Sequence, residues 1–292
     1  MAHKNKTNYS PYKARQEKTR LEKNQTESAK TEKKHPAKHQ NQTLAPQGLK
    51  GKHRKPNEIF SLEEANDRLY DVFKNHEFDL VSHEQRKQLA HYYRLLMLNQ
   101  EKENFTRLLS LKDIAIKHFI DSLIILKHTQ LLFPLMDLGT GPGLPGIPLK
   151  IFYPNEKILL AEGVQRRVNF LKHCREEMHL NHLEIIGKNI FPDFVYPVYG
   201  VITRAVEDIS NTMNNVMGCL QVGGKIFFMK GPGVDPEIEK ATQEMSEFYT
   251  LEQDIAYDIP HTPNQRRLVV FKKIKSRELV DLEEEFSEDD DL

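Results

Sequence analysis

The sequence has few cysteines, no tryptophan and no long apolar run. Its 292 residues include only two cysteines, Cys174 and Cys219. Two thiols cannot form a disulfide framework, so we expect both to be packed, reduced side chains. No apolar stretch approaches the roughly 18 residues that cross a bilayer, and residues 1–50 lack the apolar core of a signal peptide. These absences predict a cytoplasmic protein with no membrane contact.

The chain also lacks a net charge, because 42 Lys and Arg residues balance 42 Asp and Glu residues. Taken alone, neutrality argues against a nucleic-acid partner. The charges are segregated, however: residues 1–57 carry 15 bases and 4 acids, a net +11, and residues 276–292 carry one base and 9 acids, a net −8. The residues between them are mildly acidic. The total of zero therefore arises by cancellation between two opposite termini.

The distribution of apolar residues predicts four regions. Residues 1–57 are too polar to bury a core and are expected to form a disordered basic arm. Residues 58–130 form a helical cap, in which capping patterns at Ser61 and Ser82 begin two helices and a third runs from Ser110 to about Lys127. Residues 131–275 form the main domain. Residues 276–292 form an acidic disordered tail.

The main domain alternates between strand and helix patterns. A strand at 131–138 is followed by strands near 157–162, 182–187, 198–203 and 224–229, with helices at 164–178, 206–219 and 235–247. The last two strands, at 249–257 and 267–274, are adjacent in sequence. This order predicts an α/β fold with a mainly parallel sheet, helices on both faces and an antiparallel edge.

A glycine-rich turn follows the first strand. Gly139, Gly141, Gly143 and Gly146 connect the apolar strand to a helix predicted to start near Leu144. Glycines at a strand-to-helix turn allow a ligand to approach the backbone amides. The next strand ends at Glu162, whose carboxylate can accept hydrogen bonds from two ribose hydroxyls. The spacing predicts a site for an adenosine-type cofactor.

Two cofactors fit this turn, and a purely structural turn is a third possibility. Gly141, Gly143 and Gly146 match the dinucleotide fingerprint, but they begin several residues after the strand and are interrupted by prolines. Gly139, Gly141 and Gly143 with Asp137 match the loop that binds S-adenosylmethionine, in which the acid lies near the methionine end. Asp137 would repel a pyrophosphate. The residues therefore favour S-adenosylmethionine over a nicotinamide cofactor.

Seven segments of the chain carry recognisable motifs: Asn104–Thr106, Lys117–Ser122, Asp137–Leu149, Arg167–Leu171, Thr203–Ala205, Met229–Gly231 and Arg267–Val270. Together they resemble the bacterial small-subunit ribosomal RNA methyltransferase G family, formerly called glucose-inhibited division protein B. The resemblance covers about residues 60–273. The Leu-Pro-Gly-Ile-Pro-Leu extension at the end of the glycine turn is far more specific than the glycines alone.

The resemblance implies a class I S-adenosylmethionine-dependent methyltransferase with a seven-stranded sheet and an N-terminal helical cap. The implied reaction is methylation of N7 of one guanine in the decoding-centre loop of 16S rRNA, and the implied partner is 16S rRNA or the 30S particle. We expect a monomer without a metal. The expected cofactor-binding residues are Asp137, Gly139, Gly141, Gly143, Leu144, Glu162, Ile190, Phe191 and Arg204.

The chain departs from the family pattern at two cofactor positions. Glu162 stands where members usually have Asp, which retains a carboxylate for the ribose. Asn189, Ile190 and Phe191 stand where members usually have Arg-x-Glu, so a polar contact near the adenine is missing and cofactor affinity is expected to be lower. A noncatalytic RNA-binding protein on this fold, or a nicotinamide-dependent oxidoreductase, are the alternative functions.

Guanine N7 is an unprotonated acceptor, so its methylation needs no general base. Positioning of the base is then the main requirement, and the candidates for it are Asn104, His118, Asp121 and Lys230. His118 and Asp121 either line the RNA side of the cleft or hold the cap together, and zinc binding by this pair is disfavoured by the missing ligands. Lys230 and Arg204 are either ligand contacts or surface charges.

The two termini leave the same kind of choice open. The basic arm either binds RNA phosphates without sequence preference or is a solvated terminus. The acidic tail either masks the arm or increases solubility, and the sequence favours solubility.

Overall fold

The structure is a computed structural model that describes residues 54–204 and 207–277. The predicted arm up to residue 53 and the predicted tail from residue 278 lie outside these residues. Helix α1 spans Leu62–Asn75, and helix α2 spans His83–Glu103. Ser61 Oγ accepts a hydrogen bond from the Glu64 amide at 3.2 Å, and Ser82 and Gln85 form a reciprocal capping box. Both predicted helix starts are confirmed.

Helix α3 is a composite of four segments and not the single regular helix that the sequence predicts. An α-helical start, Leu111–Ile114, is followed by a π-helix, Ala115–Ile120, an α-helical turn, Asp121–Leu123, and a 3₁₀ turn, Ile124–Lys127. Two carbonyl oxygens of the π-helical turn accept hydrogen bonds from side chains. Arg204 Nη1 donates to Lys117 O at 3.3 Å, and Ser122 Oγ donates to His118 O at 2.5 Å. Such competing donors distort the regular helical ladder.

A seven-stranded sheet follows the helices in the order β3-β2-β1-β4-β5-β7-β6. Strands β1 to β5 are parallel, and β7 pairs antiparallel with both β5 and β6. This confirms the predicted parallel sheet with an antiparallel edge. The strands are β1 (Leu135–Leu138), β2 (Ile158–Ala161), β3 (Leu183–Ile186), β4 (Val198–Arg204), β5 (Leu220–Lys230), β6 (Tyr249–Asp258) and β7 (Gln265–Lys273).

Four further helices cover the sheet within the described residues: α4 (Gly146–Phe152), α5 (Gln165–Glu177), α6 (Ile209–Asn215) and α7 (Asp235–Glu244). Some predicted bounds were wrong. Strand β1 starts at Leu135 and not at 131, because Pro134 has no N–H for a strand that is paired on both sides. Helix α6 begins after Asp208, whose carboxylate accepts from the Asn211 amide at 2.8 Å.

Alternate residues of the strands contribute to two apolar cores, one on each face of the sheet. Leu135 and Ile202 face the core that contains α1, α2, α3, α4 and α5. Met136 and Val201 face the core that contains α6 and α7. The predicted cap and the sheet therefore share a continuous core. Cys174 and Cys219 are free and buried, as expected. None of the described helices is long and apolar enough to span a membrane.

Candidate functional site

Two cavities open where the parallel strands β1 to β5 end. The first, of about 390 Å³, lies at the ends of β1, β2 and β3 and is lined by residues that include Gly139, Glu162, Asn189, Ile190 and Phe191. We call it the glycine-loop cavity. Its volume falls in the roughly 300–1,000 Å³ range of small-molecule sites. Ligands of open α/β sheets bind at this edge, so the fold and the motif indicate the same site.

The glycine turn has the backbone conformation that only glycine adopts without strain. Gly139 and Gly141 have φ angles of 70° and 62°. Gly139 lines the glycine-loop cavity together with Leu138. Gly143 and Leu144 lie deeper, and a Cβ on Gly143 would stand 2.4 Å from Ile147 Cδ1. The turn therefore brings its first residues to the cavity, while its later residues pack the start of α4.

Asp137, the penultimate residue of β1, is buried beneath the turn. Its Oδ2 atom accepts hydrogen bonds from Thr140 Oγ1 at 2.5 Å and from the Gly146 amide at 2.7 Å. Its Oδ1 atom is buried and has no hydrogen-bond partner among the described residues. Burial raises the pKa of Asp137 to about 6, against the opposing effect of these hydrogen bonds. An unpaired buried carboxylate oxygen is suited to a cationic or hydrogen-bond-donating group of a ligand.

Glu162 follows the last residue of β2 and is also buried. Its Oε1 atom accepts from the Val164 amide at 2.8 Å, and its Oε2 atom lies 3.4 Å from Arg167 Nη1. These contacts fix the carboxylate at the cavity wall. Acceptor capacity remains, because a carboxylate can accept about four hydrogen bonds. The carboxylate therefore keeps the acceptors that the predicted contact with vicinal hydroxyls requires.

The segment that departs from the family pattern forms another part of the cavity wall. Ile190 is buried, whereas Phe191 is 52% exposed at the cavity rim. Asn189 contacts the glycine after Glu162 so closely that a Cβ on Gly163 would stand 2.2 Å from Asn189 Oδ1. This wall thus offers an aromatic ring and an amide and has no charged acidic group.

The second cavity, of about 670 Å³, lies at the ends of β4 and β5 and against helix α3. We call it the arginine cavity. Its lining includes Arg107, Lys117, Arg204, Lys230 and Arg266, and its acidic side chains are Asp121 and Glu237. Cations therefore outnumber anions in the lining. The two cavities are linked by a hydrogen bond from Lys230 Nζ to the carbonyl of Glu207, which lines the glycine-loop cavity.

Asp121 organises the arginine cavity. Its Oδ2 atom accepts from Arg204 Nη1 at 3.0 Å, and its Oδ1 atom accepts from Arg266 Nε at 2.7 Å. The carboxylate is nearly inaccessible to solvent, with a 6% exposed side chain. The structure therefore brings Arg204 to the arginine cavity and to Asp121, and the described lining of the glycine-loop cavity does not include it.

His118 is held in a neutral form. Burial of the ring and the nearby Arg204 guanidinium lower the pKa of His118 to about 3. Its Nδ1 atom lies 3.0 Å from Lys117 O, an acceptor, so the proton is on Nδ1. Its Nε2 atom then accepts from Thr106 Oγ1 at 3.0 Å. Because both ring nitrogens form hydrogen bonds within the protein, His118 holds the Thr106 side chain in place and has no free nitrogen to act as a general base.

The other two positioning candidates are also held by neighbours. Lys230 Nζ forms an ion pair with Glu237 at 2.8 Å, so the side chain is a paired and mostly buried cation, unlike an ordinary solvated lysine. Asn104 ends α2 in the left-handed conformation, and its Oδ1 atom accepts from Gln100 Nε2 at 3.2 Å. The structure gathers His118, Asp121 and Lys230 at the arginine cavity, and Asn104 lies two residues from Thr106 in its wall.

Sequence reasoning missed Gln100, Glu237 and Arg266. Gln100 is fully buried and holds both backbone groups of Thr106, at 2.8 and 3.0 Å. Arg266 lies just before the motif segment Arg267–Val270, and alternation along β7 sends the side chains of Arg266 and Arg267 to opposite faces. Among the described residues, no cluster of three or more histidine, cysteine or acidic side chains could hold a metal ion.

Comparison with known proteins identifies the family. The family model "GidB: rRNA small subunit methyltransferase G" matches residues 85–269. "Ribosomal RNA small subunit methyltransferase G 2" of Bdellovibrio bacteriovorus is 66% identical over 80% of this chain and 92% of the relative. A protein of the same name from Syntrophobacter fumaroxidans is 46% identical over 64% of this chain and 38% of the relative. "Ribosomal RNA small subunit methyltransferase G" of Carboxydothermus hydrogenoformans is 33% identical over 68% of this chain and 88% of the relative.

These matches decide between the two cofactors that the sequence leaves open. The predicted resemblance, the class I methyltransferase fold and the S-adenosylmethionine cofactor are confirmed, and the nicotinamide-dependent oxidoreductase is excluded. The chain therefore belongs to the rRNA small subunit methyltransferase G family, and it is an S-adenosylmethionine-dependent methyltransferase.

Proposed function

We propose that the protein transfers the methyl group of S-adenosylmethionine to N7 of one guanine in the decoding-centre loop of 16S rRNA. One observation carries this proposal beyond family membership. The glycine-loop cavity is lined by the buried Glu162, and the buried Asp137 directly precedes its lining residue Leu138. This cavity adjoins a cavity rich in cations, whose histidine is neutral with both ring nitrogens occupied. This combination suits an anionic substrate whose reacting atom has no proton to lose.

The residues of the glycine-loop cavity fit the cofactor. Glu162 would accept hydrogen bonds from the ribose hydroxyls, and the unpaired Oδ1 of Asp137 would favour the cationic methionine end. The backbone of Ile190 and the ring of Phe191 would contact the adenine. When bound, S-adenosylmethionine supplies an electrophilic methyl group on a sulfonium. Gly139 leaves room for it, since it carries no side chain at the cavity wall.

The arginine cavity would receive the RNA. Lys230 and Arg204 would contact the RNA, because they lie at the ends of β5 and β4, beside the glycine-loop cavity. We propose that Asn104, His118 and Asp121 act by holding the cavity wall in shape. Catalysis then consists of fixing guanine N7 at near-attack distance from the methyl group, which contributes several kcal/mol through orientation. No residue is required to remove a proton.

The termini and the setting complete the proposal. We propose that the +11 arm, residues 1–57, adds sequence-independent attraction to the rRNA phosphates. The −8 tail would serve mainly solubility. The enzyme would act as a cytoplasmic monomer without a metal on 16S rRNA or on the 30S particle.

A methyl-transfer assay tests the function. Purified protein is incubated with labelled S-adenosylmethionine and either undermethylated 30S subunits or protein-free 16S rRNA. We expect label in the 16S rRNA of one or both substrates, and transfer reduced about tenfold to a hundredfold in a Glu162→Ala variant at limiting cofactor. Retention of the RNA without transfer of label would favour a noncatalytic RNA-binding protein instead.

A further inference from the structure

Asp121 holds two arginines that come from different strands. Arg204 ends β4 and Arg266 lies near the start of β7, and both donate to the same carboxylate, at 3.0 and 2.7 Å. The side chains of Arg204 and Asp121 are 16% and 6% exposed. Two cations on one carboxylate leave an excess positive charge at a place that is only partly open to solvent, where an anion interacts more strongly than in bulk water.

Both guanidinium groups keep unused donors. A guanidinium has five N–H bonds. Arg204 uses Nη1 for Asp121 and Lys117 O, and Arg266 uses Nε for Asp121 and Nη1 for Gln265 O. None of the remaining nitrogens of either arginine is buried without a partner, and both residues line the arginine cavity. The unused donors are therefore accessible to solvent, on two residues that line the arginine cavity.

The other cations of the cavity are held differently. Lys230 is neutralised by Glu237 at 2.8 Å, and Lys117 by Asp113 at 3.1 Å. Arg107 is exposed and forms no ion pair with any described residue, so no carboxylate fixes its position. Arg204 and Arg266 together thus carry one more positive charge than Asp121 neutralises, and their hydrogen bonds to Asp121 hold that charge in place. Arginine matches oxyanions with two parallel hydrogen bonds, and its fork loses little entropy when it is already oriented.

We propose that Arg204 and Arg266, positioned by Asp121, form a binding site for one backbone phosphodiester of the RNA substrate. The inference rests on the proposed function, because it takes the anion to belong to RNA. Asp121 is a positioning residue here: it orients both forks toward the cavity and does not itself contact the phosphate. A phosphate bound at this point would fix the strand beside the adjoining glycine-loop cavity.

The adjacent residue supplies a matched control. Arg267 is one residue along β7 and forms ion pairs with Asp235 at 2.8 Å and Asp254 at 2.5 Å. It does not line the arginine cavity. Arg267→Ala therefore removes the same charge and two ion pairs from the same strand, but leaves the cavity intact.

Binding of an unmodified 16S rRNA transcript is measured by filter retention at several salt concentrations, using the full chain. For Arg266→Ala we expect affinity to fall about tenfold and the slope of log K against log salt to decrease by about 0.7–0.9, the value for one lost phosphate contact. Arg266→Lys retains the charge, so it should keep the slope while losing several-fold in affinity. Arg267→Ala should match the wild type.

Calorimetry with S-adenosylmethionine checks that each variant is folded and binds cofactor normally. If Arg266→Ala is unstable, the RNA affinities of Arg266→Lys and Asp121→Asn decide, since both variants should weaken RNA binding several-fold without changing cofactor affinity. An unchanged slope and affinity in Arg266→Ala, or an equal loss in Arg267→Ala, would overturn the site. Normal RNA binding by the wild type without methyl transfer would instead contradict the proposed reaction and leave the phosphate site standing.

Discussion

The two cavities use buried charge in opposite ways. At the glycine turn, the carboxylates of Asp137, beneath the turn, and Glu162, in the lining of the glycine-loop cavity, are held by backbone amides and retain free acceptor capacity. In the arginine cavity, both oxygens of the Asp121 carboxylate accept hydrogen bonds from cations. The groups without a partner there are N–H donors of Arg204 and Arg266. Free acceptors thus lie beside free donors along one edge of the sheet, an arrangement that would suit a cationic cofactor at the first place and an anionic polymer at the second.

A substitution at Gly139 should have the largest effect on the glycine-loop cavity and therefore tests the difference between the two cavities most strongly. We expect Gly139→Asp to weaken S-adenosylmethionine binding by at least about a hundredfold, because it adds a side chain at the cavity and the left-handed backbone costs an L residue ~1–2 kcal/mol. Binding is measured by calorimetry. Gly223→Asp is the control, since Gly223 also has a positive φ of 85° but has open space around it. Equal loss in both variants would contradict the assigned cavity.

Removal of the Glu162 carboxylate should have the next largest effect. We expect Glu162→Ala to weaken cofactor binding about tenfold to a hundredfold, the loss of hydrogen bonds to a charged group worth roughly 1.5–3 kcal/mol. Its RNA affinity should stay near that of the wild type. Glu184→Ala on β3 removes a carboxylate that is paired with Lys157 at 2.7 Å, outside the cavity, and should bind cofactor normally. A matching loss in that control would show a general effect of charge.

The acidity of Asp137 predicts a pH dependence. Its raised pKa of about 6 means that the carboxyl is mostly protonated at pH 5 and ionised at pH 7. The ionised form attracts a cation, so affinity for S-adenosylmethionine should rise severalfold over this interval, by less than the limit of about tenfold per pH unit. S-adenosylhomocysteine, which lacks the sulfonium charge, should show a weaker rise. Asp137→Asn should remove the dependence; a rise that persists in this variant would assign it to another group.

The smallest expected effect concerns the ring at the cavity rim. Phe191→Ala should weaken cofactor binding by about three- to tenfold, in line with ~0.5–1.5 kcal/mol for an aromatic contact. Val195→Ala, at a 74% exposed position of the same loop, should have no effect. Unchanged cofactor affinity in Phe191→Ala would mean that only the backbone of this segment contacts the adenine.

Most of the fold could be predicted from local sequence signals. Capping residues such as Ser82 determine helix starts through hydrogen bonds with nearby residues, and the alternation of apolar strands and helices determines a parallel sheet. The π-helical turn of α3 could not be predicted in this way. One carbonyl of this turn, Lys117 O, accepts a hydrogen bond from Arg204, which lies 87 residues further along the chain, so a long-range contact accompanies the distortion.

The candidate site likewise has a part that the sequence predicts and a part that it does not. The glycine turn and Glu162 could be predicted because strand ends and turn residues are local sequence patterns. Arg266 and Glu237 were not, because their roles arise from pairing with Asp121 and Lys230 across the tertiary fold. Only the antiparallel register of β7 against β5, with Arg267 opposite Lys230, brings Arg266 near α3.

The proposed reaction is tested most directly by locating the methyl group. Undermethylated 30S subunits and 16S rRNA are treated with enzyme and S-adenosylmethionine, cleaved by N7-specific chemistry and read by reverse transcription. We predict one new enzyme-dependent stop, at a guanine of the decoding-centre loop, which is lost with Gly139→Asp. Methyl transfer without an N7-dependent stop, or stops spread over many guanines, would contradict the proposed function.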